Sequence, residues 1–247
     1  MKRTLSGWVY ADDNMLTEQR VLGEGESDTT PFNPQRREQG SDWPETAETM
    51  IGLRRLDNLQ ACVEGVLKSR VPGDLIETGV WRGGATIFMR AILKAHGVED
   101  RRVWAADSFE GVPPPDPERY PQDHGDLLYT LEELAVPLEQ VKASFERYGL
   151  LDEQVRFLEG RFRDTLPGAP METLAVVRLD GDMYESTMDA LVHLYPKLSV
   201  GGYLIVDDYG ALRGCREAVD DYREAHGITE ELHSVDWSGV FWQRARR

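Results

Sequence analysis

The stretch Asp74-Leu75-Ile76-Glu77-Thr78-Gly79-Val80-Trp81-Arg82-Gly83-Gly84 passes from a strand through a glycine-rich turn into a helix. The pattern predicts a buried strand over 74–80 and a helix that continues to about His96. Glycines let the backbone approach a ligand closely, and the first turn of a helix offers free N–H groups. A tight strand-to-helix connection without a ligand is the alternative, since the spacing matches neither the phosphate-binding loop nor a full dinucleotide fingerprint.

Strands and helices alternate on both sides of this stretch. Before it, apolar residues from Leu53 to Leu67 recur at helical spacing and include Cys62, which we expect in the core. After it, we predict strands at 102–109, 155–160, 174–179, 203–206, 231–236 and 240–243, and helices at 138–148, 184–195 and 213–226. The alternation predicts an α/β fold, a doubly wound parallel sheet with helices on both faces. Seven strands ending in an antiparallel hairpin are typical of the Rossmann-like class I methyltransferases, whereas dinucleotide-binding dehydrogenases have six parallel strands.

Composition narrows the class of protein. The chain has 247 residues with 28 Lys plus Arg and 44 Asp plus Glu, giving a formal net charge of −16. This acidity argues against a duplex DNA-binding protein and weakly favours a cationic small molecule or a metal ion. The sequence shows no apolar run long enough to span a membrane and no signal-peptide pattern. With only two cysteines, we expect a cytoplasmic protein without a disulfide framework or a cysteine-rich zinc site.

Acidic and aromatic residues follow the second and third predicted strands. An acid after the second strand suits the two hydroxyls of a ribose, which makes Asp107, with its neighbour Ser108, a candidate for binding an adenosine group. Both residue types also cap helices well, so a helix N-cap is the alternative. Phe162, after the third strand, is a candidate wall for an adenine pocket and equally a candidate for the core.

Four aspartates follow the fourth and fifth predicted strands, at positions 180, 182, 207 and 208. Neighbouring strands lie about 4.8 Å apart, so these carboxylates should converge and repel unless a cation or a proton relieves them. Oxygen ligands with positions left open for substrate favour Mg²⁺ over zinc. Helix capping is the alternative, and Asp180 is the first candidate for a structural role. Asp182, Asp207 and Asp208 together exceed what capping needs, and we predict a metal site.

The chain divides into an N-terminal arm, 1–48, and a main domain, 49–247. The arm is mostly polar and contains the acidic segment 23–31, which has no helical or strand period. Its region 17–40 and the proline-rich loop 111–136 are poor core material. We predict that both form a mobile cover over a binding site.

The blocks at 77–84, 107–108, 180–184 and 207–209, in combination, resemble the macrocin O-methyltransferase family over nearly the whole chain. These enzymes depend on S-adenosylmethionine and Mg²⁺ and methylate sugar hydroxyls on macrolide and aminocoumarin antibiotics. The resemblance implies that the S-adenosylmethionine site is formed by Thr49, Met50, Glu77, Gly79, Arg82, Asp107 and Ser108. It also implies that Asp182, Asp207 and Asp208 hold Mg²⁺, with Asp182 acting as the general base.

The function implied by the resemblance is O-methylation of a sugar hydroxyl on a small glycosylated acceptor in antibiotic biosynthesis. Since members of the family tend to self-associate, we expect a homo-oligomer, with no nucleic-acid or membrane partner. Two alternatives stay open. One is a small-phenol O-methyltransferase of the catechol type, which shares the fold and the use of a metal. The other is a catalytically silent methyltransferase-fold partner protein, although an intact carboxylate cluster argues against it.

Overall fold

The core of the fold is a seven-stranded sheet. The computed structural model describes residues 1–15 and 29–245. In chain order the strands are β1 (Asp74–Thr78), β2 (Val103–Asp107), β3 (Val155–Glu159), β4 (Leu174–Leu179), β5 (Leu198–Val206), β6 (His233–Ser234) and β7 (Val240–Gln243). Their spatial order is β3-β2-β1-β4-β5-β7-β6. Pairs from β3 to β5 are parallel, and β7 is antiparallel to β5 and β6. The predicted α/β sheet with a C-terminal antiparallel hairpin is confirmed.

Helices pack on both faces of the sheet. The α-helices described are α1 (Lys2–Leu5), α2 (Pro34–Gln39), α3 (Gly52–Lys68), α4 (Gly84–Ala95), α5 (Leu138–Arg147), α6 (Phe162–Thr165), α7 (Tyr184–Leu194) and α8 (Arg213–Ala225). Side chains alternate between the faces of a strand. Leu75 of β1 therefore packs into a core with α3, α4 and α5, while Ile76 packs into a second core with α7 and α8. Among the described helices, none combines the length and apolar character that crossing a membrane requires.

The first core contains Cys62, as the helical pattern predicts. Its side chain is 2% exposed, and burial raises the pKa of its thiol to about 12. A thiol in this environment stays protonated near neutral pH, which makes Cys62 a packing residue rather than a nucleophile.

The register of the central strands brings their carboxyl ends to one level. Thr78 of β1 pairs with Leu179 of β4, which in turn pairs with Val206 of β5. The next residues continue the ladder: the amide of Asp180 donates to Thr78 (2.9 Å) and that of Asp207 donates to Leu179 (2.9 Å). The three strands therefore end side by side, and the residues that directly follow β4 and β5 are acidic.

The described part of the N-terminal arm is anchored by a buried arginine. Arg37 is fully buried; its Nε donates to both oxygens of Asp42 (3.0 Å each), and its other nitrogens donate to the carbonyls of Ser6 (2.8 Å) and Asp12 (2.7 Å). Arg37 thus ties the segment around α2 to the first residues of the chain, and the predicted mobility of the arm stays a prediction. The rest of the predicted cover in the arm, together with most of the acidic segment 23–31, lies outside the described residues.

Strand β5 begins earlier than its predicted start at Tyr203. Its first residue is Leu198, and the strand continues through two glycines. The amide of Gly201 donates to the carbonyl of Arg244 (2.7 Å), and the amide of Arg244 donates to Gly202 (2.9 Å). Hydrogen bonds to the residue after β7 therefore keep both glycines in strand conformation, although two consecutive glycines alone would suggest that the strand is interrupted there.

Candidate active site

A cavity of about 400 Å³ lies at the carboxyl ends of the strands. Most residues singled out from the sequence line it: Thr49, Met50, Glu77, Gly79, Asp107, Ser108, Phe162, Asp182, Asp207 and Asp208. Arg82 is not among the described lining residues. Its guanidinium donates to the carbonyls of Pro44 (3.2 Å) and Ala47 (3.0 Å), so it holds the arm beside the cavity.

The glycine turn after β1 is shaped by its neighbour, the end of β4. Gly79 has φ 81°, and a Cβ built on it would lie 1.7 Å from the carbonyl oxygen of Asp180. Only glycine fits where the two backbones approach so closely. The turn therefore sets the distance between the cavity's glycine-rich wall and its acidic wall.

Asp107, at the end of β2, organises two turns with one carboxylate. Its Oδ2 accepts the amide of Val80 (2.7 Å), and its Oδ1 accepts the amide of Phe109 (2.8 Å). Burial raises the pKa of Asp107, and the backbone hydrogen bonds oppose this effect. A carboxylate has about four acceptor positions. The two amides and, at 3.4 Å, the hydroxyl of Ser108 occupy most of these positions. Because the amides lie in turns rather than at the start of a helix, the helix N-cap expected as the alternative is wrong, and binding of a ligand's hydroxyls by Asp107 stays a prediction.

The acidic wall contains a compact group of carboxylates. Asp180, Asp207 and Asp208 can each offer one oxygen such that all three oxygens lie within 4.8 Å of one another. Oδ2 of Asp208 is buried and has no hydrogen-bond partner among the described residues. A buried acceptor without a partner is costly, which indicates that a ligand belongs there. Asp180, which the sequence marks as structural, is thus part of the group.

Asp182 lies outside this group, although the resemblance implies it as a ligand. It follows β4 by two more residues than Asp180 does, and it adopts a left-handed conformation with φ 63°. Burial raises its pKa well above the ordinary value, as do the carboxylates of Asp180, Asp126, Asp207 and Asp107. These neighbours place Asp182 between the carboxylate group, the loop 111–136 and the end of β2.

Two buried arginines hold the acidic wall. Arg178 of β4 is 1% exposed; its Nη1 donates to Glu77 (2.5 Å) and Asp180 (2.7 Å), and its Nη2 donates to Asp207. Arg55 of α3 also donates to Asp207. Burial alone lowers the pKa of Arg178, but Asp180, Asp207 and Glu77 raise it well above the ordinary value.

Neither arginine is among the site residues predicted from the sequence, although the sequence around each contains a signal. Arg178 is a charge in the apolar strand 174–179, two residues before Asp180 and therefore on the same side of the chain. Arg55 stands four residues before Leu59, in line with the apolar stripe of α3. A charge at a core position indicates a buried partner, because an unpaired buried charge is strongly unfavourable.

Burial also shifts the carboxyl groups around these arginines. It raises the pKa of Glu77 to about 7 and that of Asp180 to about 6, against the opposing effect of Arg178. The pKa of Asp208 rises well above its ordinary value, through burial and through Asp180 and Asp182. These carboxyl groups hold their protons more tightly than usual, because they are buried close together and only partly balanced by the arginines. A bound cation would relieve the same repulsion.

Hydrogen bonds attach the loop 111–136 to the elements around the cavity. Both oxygens of the buried Asp123 accept backbone amides at the start of α7, from Tyr184 (2.7 Å) and Glu185 (3.0 Å). The indole of Trp81 donates to the carbonyl of Glu133 (2.8 Å). Residues of the loop therefore line the cavity; that the loop acts as a mobile cover stays a prediction.

An aromatic face stands beside the acidic wall. Trp237 is 52% exposed, lines the cavity and donates its indole N–H to the carbonyl of Gln39 (3.0 Å). It lies in the turn after β6, where Ser238 and Gly239 donate their amides to Oδ1 of Asp236 (2.9 and 2.8 Å). This turn ends β6 after two residues, earlier than the predicted limit of 236.

Together, the strand order, the glycine turn after β1, the acid after β2 and the cavity at the carboxyl ends define a class I methyltransferase. Comparison with known families makes this specific: the family model for macrocin-O-methyltransferase (TylF) matches residues 3–244. The chain belongs to this family and is an O-methyltransferase.

Characterised relatives support the assignment. The chain is 56% identical over 244 residues to the 8-demethyl-8-(2,3-dimethoxy-alpha-L-rhamnosyl)-tetracenomycin-C 4'-O-methyltransferase of Streptomyces olivaceus, covering 98% of this chain and 90% of that protein. It is 52% identical over 251 residues to the demethyldecarbamoylnovobiocin O-methyltransferase of Streptomyces niveus, covering 100% and 92%. The solved structure of the O-methyltransferase NovP superposes with a TM-score of 0.91 at 51% identity, covering 99% of this chain and 96% of that one.

Proposed function

We propose that this enzyme transfers a methyl group from S-adenosylmethionine to a sugar hydroxyl of a glycosylated natural product, with the help of Mg²⁺. The observation that carries the metal-dependent part is the group of Asp180, Asp207 and Asp208, with the unpartnered oxygen of Asp208. Membership in a methyltransferase family supplies the choice of methyl donor.

The cavity fits the methyl donor in shape and charge. The glycine turn allows close approach to the backbone of Gly79, and Asp107 lines the cavity, where it would accept the ribose hydroxyls. Thr49 and Met50 lie on the same wall, and Phe162 lines the cavity after β3. The sulfonium is a cation, which suits a cavity with excess carboxylates.

The acidic wall also fits a divalent cation. Its donors are all oxygen, which matches Mg²⁺. Four carboxyl groups (Glu77, Asp180, Asp207 and Asp236) pair with two guanidinium groups (Arg55 and Arg178), and Asp182 and Asp208 add further carboxyl groups beside them. We propose Asp180, Asp207 and Asp208 as the ligands, with Asp180 replacing Asp182, because its oxygens meet those of the other two.

Asp182 then serves as the general base. A sugar hydroxyl holds its proton far above neutral pH, so the proton must leave as the oxygen attacks the methyl carbon. A cation held by the three ligands supplies electrostatic stabilisation of the negative charge that develops on that oxygen. Asp182 lines the cavity beside these ligands and beside Asp107, which puts its carboxylate between the metal side and the cofactor side. The docked loop 111–136 keeps water from the methyl group.

Two observations support the proposed class of acceptor: the name of a close relative and the side chains that line the cavity. The 56% identical relative is named for methylation of a rhamnosyl-tetracenomycin. In this chain, Trp43, Leu128, Leu134 and Trp237 line the cavity and give part of its wall an apolar and aromatic character. Such a surface suits a sugar ring attached to an apolar aglycone. We also propose that the enzyme is cytoplasmic and homo-oligomeric.

A single assay tests the proposal against its alternatives. The enzyme is incubated with S-adenosylmethionine, Mg²⁺ and either glycosylated polyketides and aminocoumarins or their aglycones and catechols, and S-adenosylhomocysteine is measured. We expect product with glycosylated acceptors only, and mass spectrometry should place the methyl on the sugar. Turnover of catechol alone would favour the small-phenol enzyme. Absence of product on every acceptor would contradict the proposed acceptor class.

A further inference from the structure

The two buried arginines meet at one carboxylate of the metal group. Arg178 and Arg55 each donate to Asp207, one to each of its oxygens. We propose that they are positioning residues, which orient Asp207 and Asp180 so that their remaining lone pairs and the free oxygen of Asp208 converge on a divalent cation. This inference rests on the metal site of the proposed function.

Arg178 is fixed by the sheet itself. It lies in β4, between Glu77 of the neighbouring strand β1 and Asp207 at the end of β5, and β-pairing sets Glu77 directly beside it. One nitrogen bridges Glu77 (2.5 Å) and Asp180 (2.7 Å) while another holds Asp207. A side chain fastened to three central strands has little freedom to follow a ligand, so the carboxylates it binds are pre-oriented.

Arg55 approaches Asp207 from the helical layer. Its Nε donates to Asp236 in the hairpin turn (3.0 Å), and its Nη2 donates to the carbonyl of Gly40 in the arm (2.7 Å). Its guanidinium also lies 5.9 Å from the centre of the Trp237 ring. Arg55 thus links the metal side of the cavity to the arm and to the aromatic turn at its mouth.

The planar fork of a guanidinium suits this task better than an ammonium group. Several fixed N–H donors can hold several carboxylates in one geometry, whereas lysine presents a point charge on a flexible stem. Each oxygen of Asp207 accepts one arginine and keeps a further lone pair. Groups that orient metal ligands in this way typically change metal affinity by about 10–100-fold when they are altered.

The test measures metal binding directly, without turnover. Mn²⁺ serves as the probe, and its affinity for the otherwise ligand-free protein is measured by calorimetry and by electron paramagnetic resonance. The variants are Arg178→Lys and Arg55→Lys, which keep the charge but lose the fork. The matched control is Arg90→Lys, since Arg90 is also a buried arginine that grips an aspartate, with bonds of 3.0 and 2.6 Å to Asp152, and it is not among the residues that line the cavity.

We expect the Mn²⁺ Kd to rise about 10–100-fold in Arg178→Lys and Arg55→Lys and to stay at the wild-type value in Arg90→Lys, at comparable losses of Tm. Wild-type affinity in both site variants would overturn the positioning role and leave the metal site standing. An equal loss in Arg90→Lys would overturn it too, since the effect would then follow from general destabilisation. If the wild type itself binds no Mn²⁺, the metal-dependent part of the proposed function fails first. If Arg178→Lys does not fold, Arg55→Lys decides the question alone.

Discussion

At the scale of single residues, the site depends on carboxylates that serve structure and chemistry together. Asp107 accepts two backbone amides and lines the cavity, and Asp180 accepts a hydrogen bond from Arg178 while one of its oxygens lies near those of Asp207 and Asp208. The sequence alone does not distinguish a structural role from a binding role, because the same residue types serve in both. Asp180 is therefore expected to be structural, and only the register of β4 and β5 shows that its oxygen meets those of Asp207 and Asp208.

Replacing Asp107 should separate its two roles. We expect Asp107→Ala to weaken S-adenosylmethionine binding by about 2–4 kcal/mol, because charge-assisted hydrogen bonds to the ribose are lost. The control is Asp74→Ala, since Asp74 also accepts two bonds, from Arg102 (2.9 Å) and Trp104 (2.8 Å), but at the start of β1. Calorimetry should show unchanged cofactor affinity in the control. Wild-type affinity in Asp107→Ala would remove Asp107 from the cofactor site.

At the scale of elements, the helices and strands of the main domain follow the sequence closely. The strands at 174–179 and 240–243 have their predicted limits, and the helices beginning at 138, 184 and 213 start where the pattern places them. These segments have clear hydrophobic periods and turn residues on both sides. Helices α2 and α6 are not predicted, because each is short and is held by tertiary contacts or caps rather than by an apolar stripe.

The turn after β1 should tolerate no side chain at Gly79. In Gly79→Ala, the new Cβ would collide with the carbonyl of Asp180, and the alanine would have to adopt a left-handed backbone conformation. Overpacking of about 1–3 kcal/mol and left-handed strain of about 1–2 kcal/mol should add, and the free energy of unfolding should fall by about 3 kcal/mol or more. Gly97→Ala is the control: it shares the positive φ of 64° but has no atom within 4 Å. Equal losses for the two variants in urea unfolding would contradict the close approach.

The loop 111–136 should depend on its cap to α7. We expect Asp123→Ala to cost about 0.5–2 kcal/mol of stability, because two amides at the start of α7 lose their acceptor. Amide exchange should accelerate in the loop and in the first turn of α7. Asp116→Ala is the control, since Asp116 accepts only an amide of its own loop, from Arg119 (3.3 Å). If exchange in α7 rises equally in both variants, the cap does not dock the loop.

At the scale of the whole molecule, part of the excess of acidic residues is concentrated in the cavity. The formal charge of −16 alone would be compatible with solvated surface. The fold, however, brings four carboxyl groups (Glu77, Asp180, Asp207 and Asp236) against the guanidinium groups of Arg55 and Arg178, with Asp182 and Asp208 beside them. The sequence predicts the sheet and the aspartates, because both are local patterns. It does not show the arginines that orient them, because their partners are 29 and 152 residues away along the chain.

The central claim is that the aspartates at the ends of β4 and β5 divide into metal ligands and a base. Its most direct test is the rate of S-adenosylhomocysteine formation against Mg²⁺ concentration, after removal of metal by EDTA, in the wild type, Asp180→Asn and Asp182→Asn. We predict that EDTA stops the wild type and Mg²⁺ restores it. Asp180→Asn should require more Mg²⁺ and be partly rescued by it, whereas Asp182→Asn should stay nearly inactive at saturating Mg²⁺ because an amide cannot accept the proton. Full activity in EDTA, or most of the wild-type rate in Asp182→Asn, would contradict the account.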